Sequence, residues 1–329
     1  MEISVYDTPM TAPTLYLIAA LLGLLASWYL LPLRWAALLS WLARRMAGLK
    51  SKQCQVGEVH WQYLEGGRGP TLVLLHGMAA EADHWLAIAA RLRSDYRLLI
   101  PDLPGFGGST PPQELDFRIQ AQSQRLEAWL DQLGVHACLL AGNSMGAWIA
   151  ADFSARHPDR VRALWLQDAF GLHSARQSAI MRDFVAGQDN PFLIRNMTDY
   201  RRLVKQMFHR APPLPYPLQR AGFVNAARLA PELERMQAEL LEQSTPVETL
   251  LSGLQLPTLI EWGEEDRATD PDGVRVLSEL LPNCQCVTHA RVGHLPMLEA
   301  PGPCLRAWQS FATEHKLMAD VTASHDSAT

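Results

Sequence analysis

Apolar positions fall into three kinds of run along the chain. The first is N-terminal: the 26 residues between Asp7 and Arg34 carry no charge, and Leu15 to Leu33 holds nine leucines. That length predicts a bilayer-spanning helix over about 14–33. The second kind is short, continuous and bounded by turn residues, as in "TLVLLHG", "LLIPD", "HACLLAG", "VRALWLQD" and "PTLIEWG". Such runs predict strands buried on both faces of a mostly parallel sheet. The third kind has helical spacing. Met145 to Arg156 reads as a helix, and in "RWAALLSWLARRMAGLK" Trp35, Leu38, Leu42, Met46 and Leu49 share a face while Arg44 and Arg45 lie off it. Between Asp168 and Leu256 the strand–helix alternation stops and a mostly helical stretch takes its place. The expected organisation is an N-terminal segment over 1–52, an α/β core over 53–170 and 252–316 split by an insertion over 171–251, and a frayed tail over 317–329.

Charge sharpens the N-terminal reading. Residues 1–52 carry +3 within a chain of net −5, so the remainder is at −8, and every basic residue of the segment follows the apolar run. An uncleaved single-pass anchor is expected, with the N-terminus outside and the large domain on the cytoplasmic side. A cleaved signal peptide fits less well, because no basic residue precedes the run and no clear small-x-small site follows it. The basic amphipathic stretch suits an interfacial helix. The acidity of the rest argues against nucleic acid as a partner. Five cysteines, of which Cys284 and Cys286 stand too close to pair easily within a strand, imply no disulfide framework. No Cys/His group has metal-site spacing and no Gly-rich phosphate loop is present, so no metal and no cofactor is expected.

Candidate chemistry begins at "AGNSMGAWIA", residues 141–150. A strand must turn here directly into a helix, with Ser144 at the tip and glycines two residues to either side. The bland reading is a capped turn. The chemical one is a strained elbow whose neighbours, Gly142 and Gly146, come too close for side chains, and whose hydroxyl faces the positive end of the following helix. A serine so placed needs a histidine to take its proton and an acid to orient that histidine. Asp266 stands just past the strand in "PTLIEWGEEDRATDP", and His294 ends the strand-like stretch in "CQCVTHARVGHLPMLEAP". Asp168, at the end of "VRALWLQD", is the alternative acid. His289 lies inside a strand pattern and His157 in "RHPDR", so both read as structural. His76 belongs to "TLVLLHGMAAEADHW", where a turn leads to a helix beginning near Asp83, a natural cap.

With "GNSMG", "PDLPGFGGS", "NPFLI" followed by "APPLP", "WGEEDRATDP" and "VGHLPMLEAP" in one order, residues 53–316 resemble the α/β-hydrolase superfamily. The resemblance is closer to a subgroup containing cold-adapted bacterial lipases and the mammalian membrane-anchored monoacylglycerol lipase. It implies the α/β-hydrolase fold, Ser144 as nucleophile, Asp266 as acid, His294 as base, and the backbone N–H groups of Met78 and Met145 as the oxyanion hole. The insertion becomes a cap or lid over the serine. Which of Met181, Phe184, Phe192, Met197, Met207 and Phe208 line an acyl pocket is left open. Ala147 replaces the glycine usual after Gly146, a methyl that the first helical turn tolerates.

The reaction implied is hydrolysis of a lipid carboxylic ester, first of all a monoacylglycerol, through an acyl-enzyme at the bilayer. The same fold also hosts haloalkane dehalogenases and epoxide hydrolases, whose nucleophile is an aspartate, and soluble carbon–carbon bond hydrolases. A membrane-tethered, non-catalytic binding module is the alternative from another class. Triad, oxyanion hole and pocket are all expected beyond residue 52, leaving the N-terminal segment to present the domain to lipid. Oligomeric state is not legible.

Overall fold

A computed structural model of the chain describes residues 12–110, 115–186 and 190–318. Eight strands form one sheet: β1 (Lys50–Val56), β2 (Val59–Gly67), β3 (Thr71–Leu75), β4 (Arg97–Pro101), β5 (Cys138–Asn143), β6 (Val161–Gln167), β7 (Thr258–Gly263) and β8 (Cys284–His289). Their order is β1-β2-β4-β3-β5-β6-β7-β8. The β1–β2 and β2–β4 pairs are antiparallel and all the others parallel. Strands β3 to β7 are covered by helices on both faces, which is why they read as unbroken apolar runs rather than alternating ones.

Two N-terminal helices precede the sheet, α1 (Ala12–Leu30) and α2 (Pro32–Met46). The apolar run continues to Leu33, but the helix of the expected span ends at Leu30, because the Pro32 ring opens a new helix and cannot continue the old one. Trp35 braces the bend: its Nε1 donates to Ser27 Oγ at 3.1 Å and its ring meets that of Trp28. No residue of α1 is buried. On α2, Leu38, Trp41, Leu42 and Met46 are exposed, Met46 by 82%. Leu49 departs from this stripe. The helix has ended by then, and Leu49 is buried in the core beside Leu64 and Leu98.

Helices α3 (Leu86–Leu92), α4 (Ile119–Gln132) and α5 (Met145–Arg156) follow successive core strands. The α5 bounds are those read from the sequence. Asp83 does not cap the helix near it: no side-chain cap bond forms at that turn, and its carboxylate is drawn instead to Arg44 of α2. Between β6 and β7 the chain runs through α6 (Ala179–Val185), α7 (Met197–Met207), α8 (Tyr216–Ala227), α9 (Leu233–Glu242) and α10 (Val247–Leu251). Part of this insertion has its own small core of Ile194, Leu203, Met207, Phe208 and Ala226. The side chain of Phe184 lies outside the described residues. Helices α11 (Gly273–Leu280), α12 (Pro296–Glu299) and α13 (Pro301–Glu314) are the last among the described residues. One face of the sheet packs on Leu126, Trp129, Ile149 and Phe153, the other on Trp85, Trp308 and Phe311. Leu317 is buried against the second of these clusters, so the packed chain runs past the expected start of the tail at 317. Residues 319–329 lie outside the described residues.

Candidate active site

Strand β5 ends at Asn143 and α5 begins at Met145, so Ser144 makes the whole turn alone, at φ 56° and ψ −118°. Side chains other than glycine's resist that conformation, and it persists because the surroundings hold it. Ser144 N–H donates to Gln167 O at 3.0 Å, and Ser144 O accepts from Ala147 N–H at 3.0 Å. A Cβ on Gly142 would lie 2.3 Å from the Gly146 carbonyl, and one on Gly146 would lie 2.5 Å from Leu75 O. Both glycines are required by backbone contact.

His294 sits on the loop between β8 and α12, and Asp266 on the loop after β7. His294 Nδ1 meets Asp266 Oδ2 at 2.8 Å. The carboxylate also accepts from Ala268 N–H at 2.7 Å, Thr269 N–H at 3.1 Å and Thr269 Oγ1 at 2.7 Å. Burial pushes the Asp266 carboxyl up, but His294, Thr269 and Asp168 together hold it below its usual value. The His294 backbone is fixed on two sides, its N–H donating to Met207 O at 2.8 Å and its carbonyl accepting from Asn143 Nδ2 at 3.1 Å. With Nδ1–H facing the carboxylate, Nε2 keeps the lone pair. Ser144 and His294 line one cavity of about 330 Å³, within the range of about 300–1,000 Å³ usual for ligand sites.

Gly77 and Met78 line the same cavity. Among the described residues, the Met78 and Met145 N–H groups are taken by no loop or side-chain acceptor, and Met145 opens α5, where helical N–H groups have no partner a turn earlier. His76 steadies this loop. Its Nδ1 meets Gly77 O at 2.7 Å and its Nε2 accepts from Leu103 N–H at 2.9 Å. Burial pulls its pKa down to about 4, so the ring stays neutral.

Of the other candidates, the two histidines are held elsewhere. His157 Nε2 lies 3.3 Å from Glu127 at the outer end of α5. Buried His289 Nε2 meets Glu261 Oε1 at 2.7 Å, and Glu261 Oε2 accepts from Trp165 Nε1 and Gln167 Nε2, both at 2.6 Å. Asp168 lies beside Asp266 and His294, fully buried, with Oδ1 accepting from Gly263 N–H at 3.0 Å. Two buried clusters have the donor types of metal sites, Glu261/His289/Cys304 and Asp168/Asp266/His294. In each, a carboxylate–imidazole hydrogen bond already joins the pair.

Several contributors escaped the sequence reading. Thr269 stands three residues after Asp266, a spacing at which a side-chain oxygen takes its own loop's N–H groups, and that signal was available. The cavity wall was not. Leu39, Ser40 and Ala43 of α2 line the cavity together with Phe192, Met207 and Phe208 of the insertion, so the pocket does not lie wholly beyond residue 52. Helix α8 packs along α2, and Asn225 on it donates to Glu81 Oε2 at 3.1 Å across the same cavity.

The family described as "alpha/beta hydrolase fold" matches residues 70–301. Lipase 1 of Psychrobacter immobilis is 33% identical, over 72% of this chain and 76% of its own. Monoacylglycerol lipase abhd6-A of Xenopus laevis is 25% identical, over 90% of this chain and 91% of its own. Among solved structures, a membrane phospholipase A, described as a bacterial virulence factor, superposes with a TM-score of 0.84 at 34% identity, covering 93% of this chain and 99% of its own.

Proposed function

The chain belongs to the α/β-hydrolase family, and on that premise we propose that it is a membrane-tethered serine esterase that releases the acyl chain of a lipid ester, first of all a monoacylglycerol. One observation carries this reading: Ser144, strained at a glycine-flanked elbow, and His294, hydrogen-bonded to Asp266, open on a single cavity. His294 takes the Ser144 proton and the alkoxide attacks the ester carbonyl. The Met78 and Met145 N–H groups hold the oxyanion, each worth about 3 kcal/mol in the transition state. Protonated His294 then supplies the leaving alcohol's proton, and a water activated by the same ring hydrolyses the acyl-enzyme. An elbow serine rather than aspartate argues against dehalogenase and epoxide hydrolase chemistry.

The membrane part rests on α1, long and apolar enough to cross a bilayer, and on the exposed apolar stripe of α2 beside the cavity. All basic residues of the segment follow the span, and the positive-inside rule supports an orientation with the N-terminus outside and the hydrolase domain on the cytoplasmic side. The 34% identity to the membrane phospholipase A favours a second reading, in which the ester belongs to a phospholipid. A panel of monoacylglycerols and phospholipids of graded acyl length, offered to the detergent-purified protein, tests both. Turnover of monoacylglycerol above all other esters supports the first reading, and preference for phospholipid supports the second. No turnover of any ester overturns both.

A further inference from the structure

Asp168 is a fully buried acid beside the triad that the proposed mechanism leaves unused. It follows directly on β6 at φ 46°, a left-handed conformation that a non-glycine residue holds only when clamped. The clamps are visible. Asp168 N–H donates to Glu261 O at 3.0 Å, its carbonyl lies 3.3 Å from Thr269 Oγ1, and its Oδ1 accepts from Gly263 N–H. Its Oδ2 is buried, and no donor reaches it among the described residues. One oxygen of Asp168, one of Asp266 and a ring nitrogen of His294 lie within 4.8 Å of one another.

Two ionised carboxylates at that separation, away from water, repel strongly, and an ionised Asp168 would leave Oδ2 with no hydrogen bond. A protonated Asp168 removes both difficulties, because Oδ2–H then donates to Asp266. Thr269 makes room, its hydroxyl reaching either Asp266 Oδ2 or the Asp168 carbonyl. We propose that Asp168 is a positioning residue that keeps its proton and shares it with Asp266, so that two carboxyls rather than one set the orientation and charge of His294. This rests on the reading of Ser144, Asp266 and His294 as a triad.

The titratable groups facing Asp168 are Asp266, His294, Glu261 on β7 and Cys304 on α13, and no Lys or Arg pairs with it among the described residues. Burial first, and the Asp266 charge second, push its carboxyl well above the usual carboxylate range. The shared proton weakens the negative field that Asp266 presents at His294 Nδ1. Removal of Asp266 changes the role of Asp168. Without the like charge beside it, and with His294 Nδ1–H to accept, it takes over as the orienting carboxylate, its proton leaving by way of His294, which lines the cavity.

The test uses the full-length protein in detergent and a soluble short-chain p-nitrophenyl ester, with kcat and KM followed across pH. Asp168→Asn, whose amide can still donate to Asp266, keeps kcat and the acid limb of the profile close to the parent. Asp168→Ala lowers kcat about tenfold at unchanged KM, the effect of one lost charge-assisted hydrogen bond, and moves the acid limb to higher pH. Asp266→Asn costs about 100-fold, well short of the roughly 10⁴-fold loss in a triad with a single acid, and Asp168→Asn added to it brings the full loss. The proposal is overturned by Asp168→Ala matching the parent in rate and acid limb. It is equally overturned if both Asp168 variants lose rate alike with the acid limb unmoved, or if the double variant equals Asp266→Asn alone. The Asp266 pair decides the matter should Asp168→Ala not fold. Turnover retained by Ser144→Ala would remove the triad reading itself, a result distinct from all of these.

Discussion

Arg44 of α2 and Asp83 of the turn after β3 meet in a two-point ion pair, Nε to Oδ1 at 2.6 Å and Nη2 to Oδ2 at 3.0 Å. Both side chains are largely buried, and the bidentate geometry is the kind that holds position rather than merely attracting. The pair fastens the N-terminal helix to the turn that carries Met78 and Glu81, one wall of the cavity to another. A segment that looked like a membrane attachment alone is thereby built into the pocket.

Two truncations separate the duties of that segment. Deleting residues 1–30 removes α1 only, and is expected to leave short-ester hydrolysis nearly intact while sharply reducing turnover of monoacylglycerol in anionic vesicles. The substrate stays in the bilayer by about 0.8 kcal/mol for each buried methylene, so reaching it depends on residence at the surface. Deleting residues 1–52 is expected to lower both rates, because it strips Leu39, Ser40 and Ala43 from the cavity and Arg44 from Asp83. Both rates are measured at equal folded concentration. Intact short-ester hydrolysis after the longer deletion would show that α2 is not a working wall.

A fluorophosphonate probe is expected to label the protein at Ser144, and Ser144→Ala to abolish both labelling and ester turnover. Mass spectrometry of the labelled peptide locates the adduct. Labelling elsewhere, with turnover surviving the substitution, would remove the nucleophile assignment.

Gly146→Ala tests the elbow. The new Cβ would lie 2.5 Å from Leu75 O and 2.6 Å from His76 O, backbone atoms at the end of β3 that no side-chain rotation can move away. The expected cost is about 2 kcal/mol of stability, read by thermal unfolding, together with loss of most turnover as Ser144 shifts. A variant with parental melting temperature and rate would show that the turn is slack.

His76 gives the site a pH dependence of known sign. Its folded-state pKa is depressed to about 4 from an ordinary 6.5, with burial the main cause. A group that must stay neutral in the fold contributes stability that is present above pH 6.5 and lost as pH falls toward 4. Full protonation costs roughly 3 kcal/mol, and it breaks the bond that Nε2 accepts from Leu103 N–H. Unfolding free energies at pH 7 and pH 4.5 are expected to converge for His76→Gln relative to the parent, the variant being weaker at pH 7 and losing less on acidification. Equal acid losses in the two proteins would assign the pH dependence to other groups, first among them His84, whose pKa is likewise pulled down to about 4.

Much of this molecule was legible because local rules and the global fold agree. Buried parallel strands require unbroken apolar runs, so β3, β4, β5, β6 and β7 stood out, and the bounds of α5 followed from its composition and the glycine before it. The elbow was legible for a stricter reason: only glycine fits at positions 142 and 146, so steric necessity was written directly into residue type. His294 and Asp266 came into view by their order and their places after strands. The tertiary structure alone decided where long-range partners go. Asp83 has the composition of a cap, but a half-buried guanidinium 39 residues away outcompetes helix N–H groups for its carboxylate. The amphipathic stripe of α2 gave its helical period but not its neighbour, since one apolar face suits lipid, a cap helix or a cavity equally. Asp168 and Asp266 looked like rivals for one role because sequence shows each acid alone. Folding puts the two within reach of a single imidazole, and electrostatics at that distance makes them one unit.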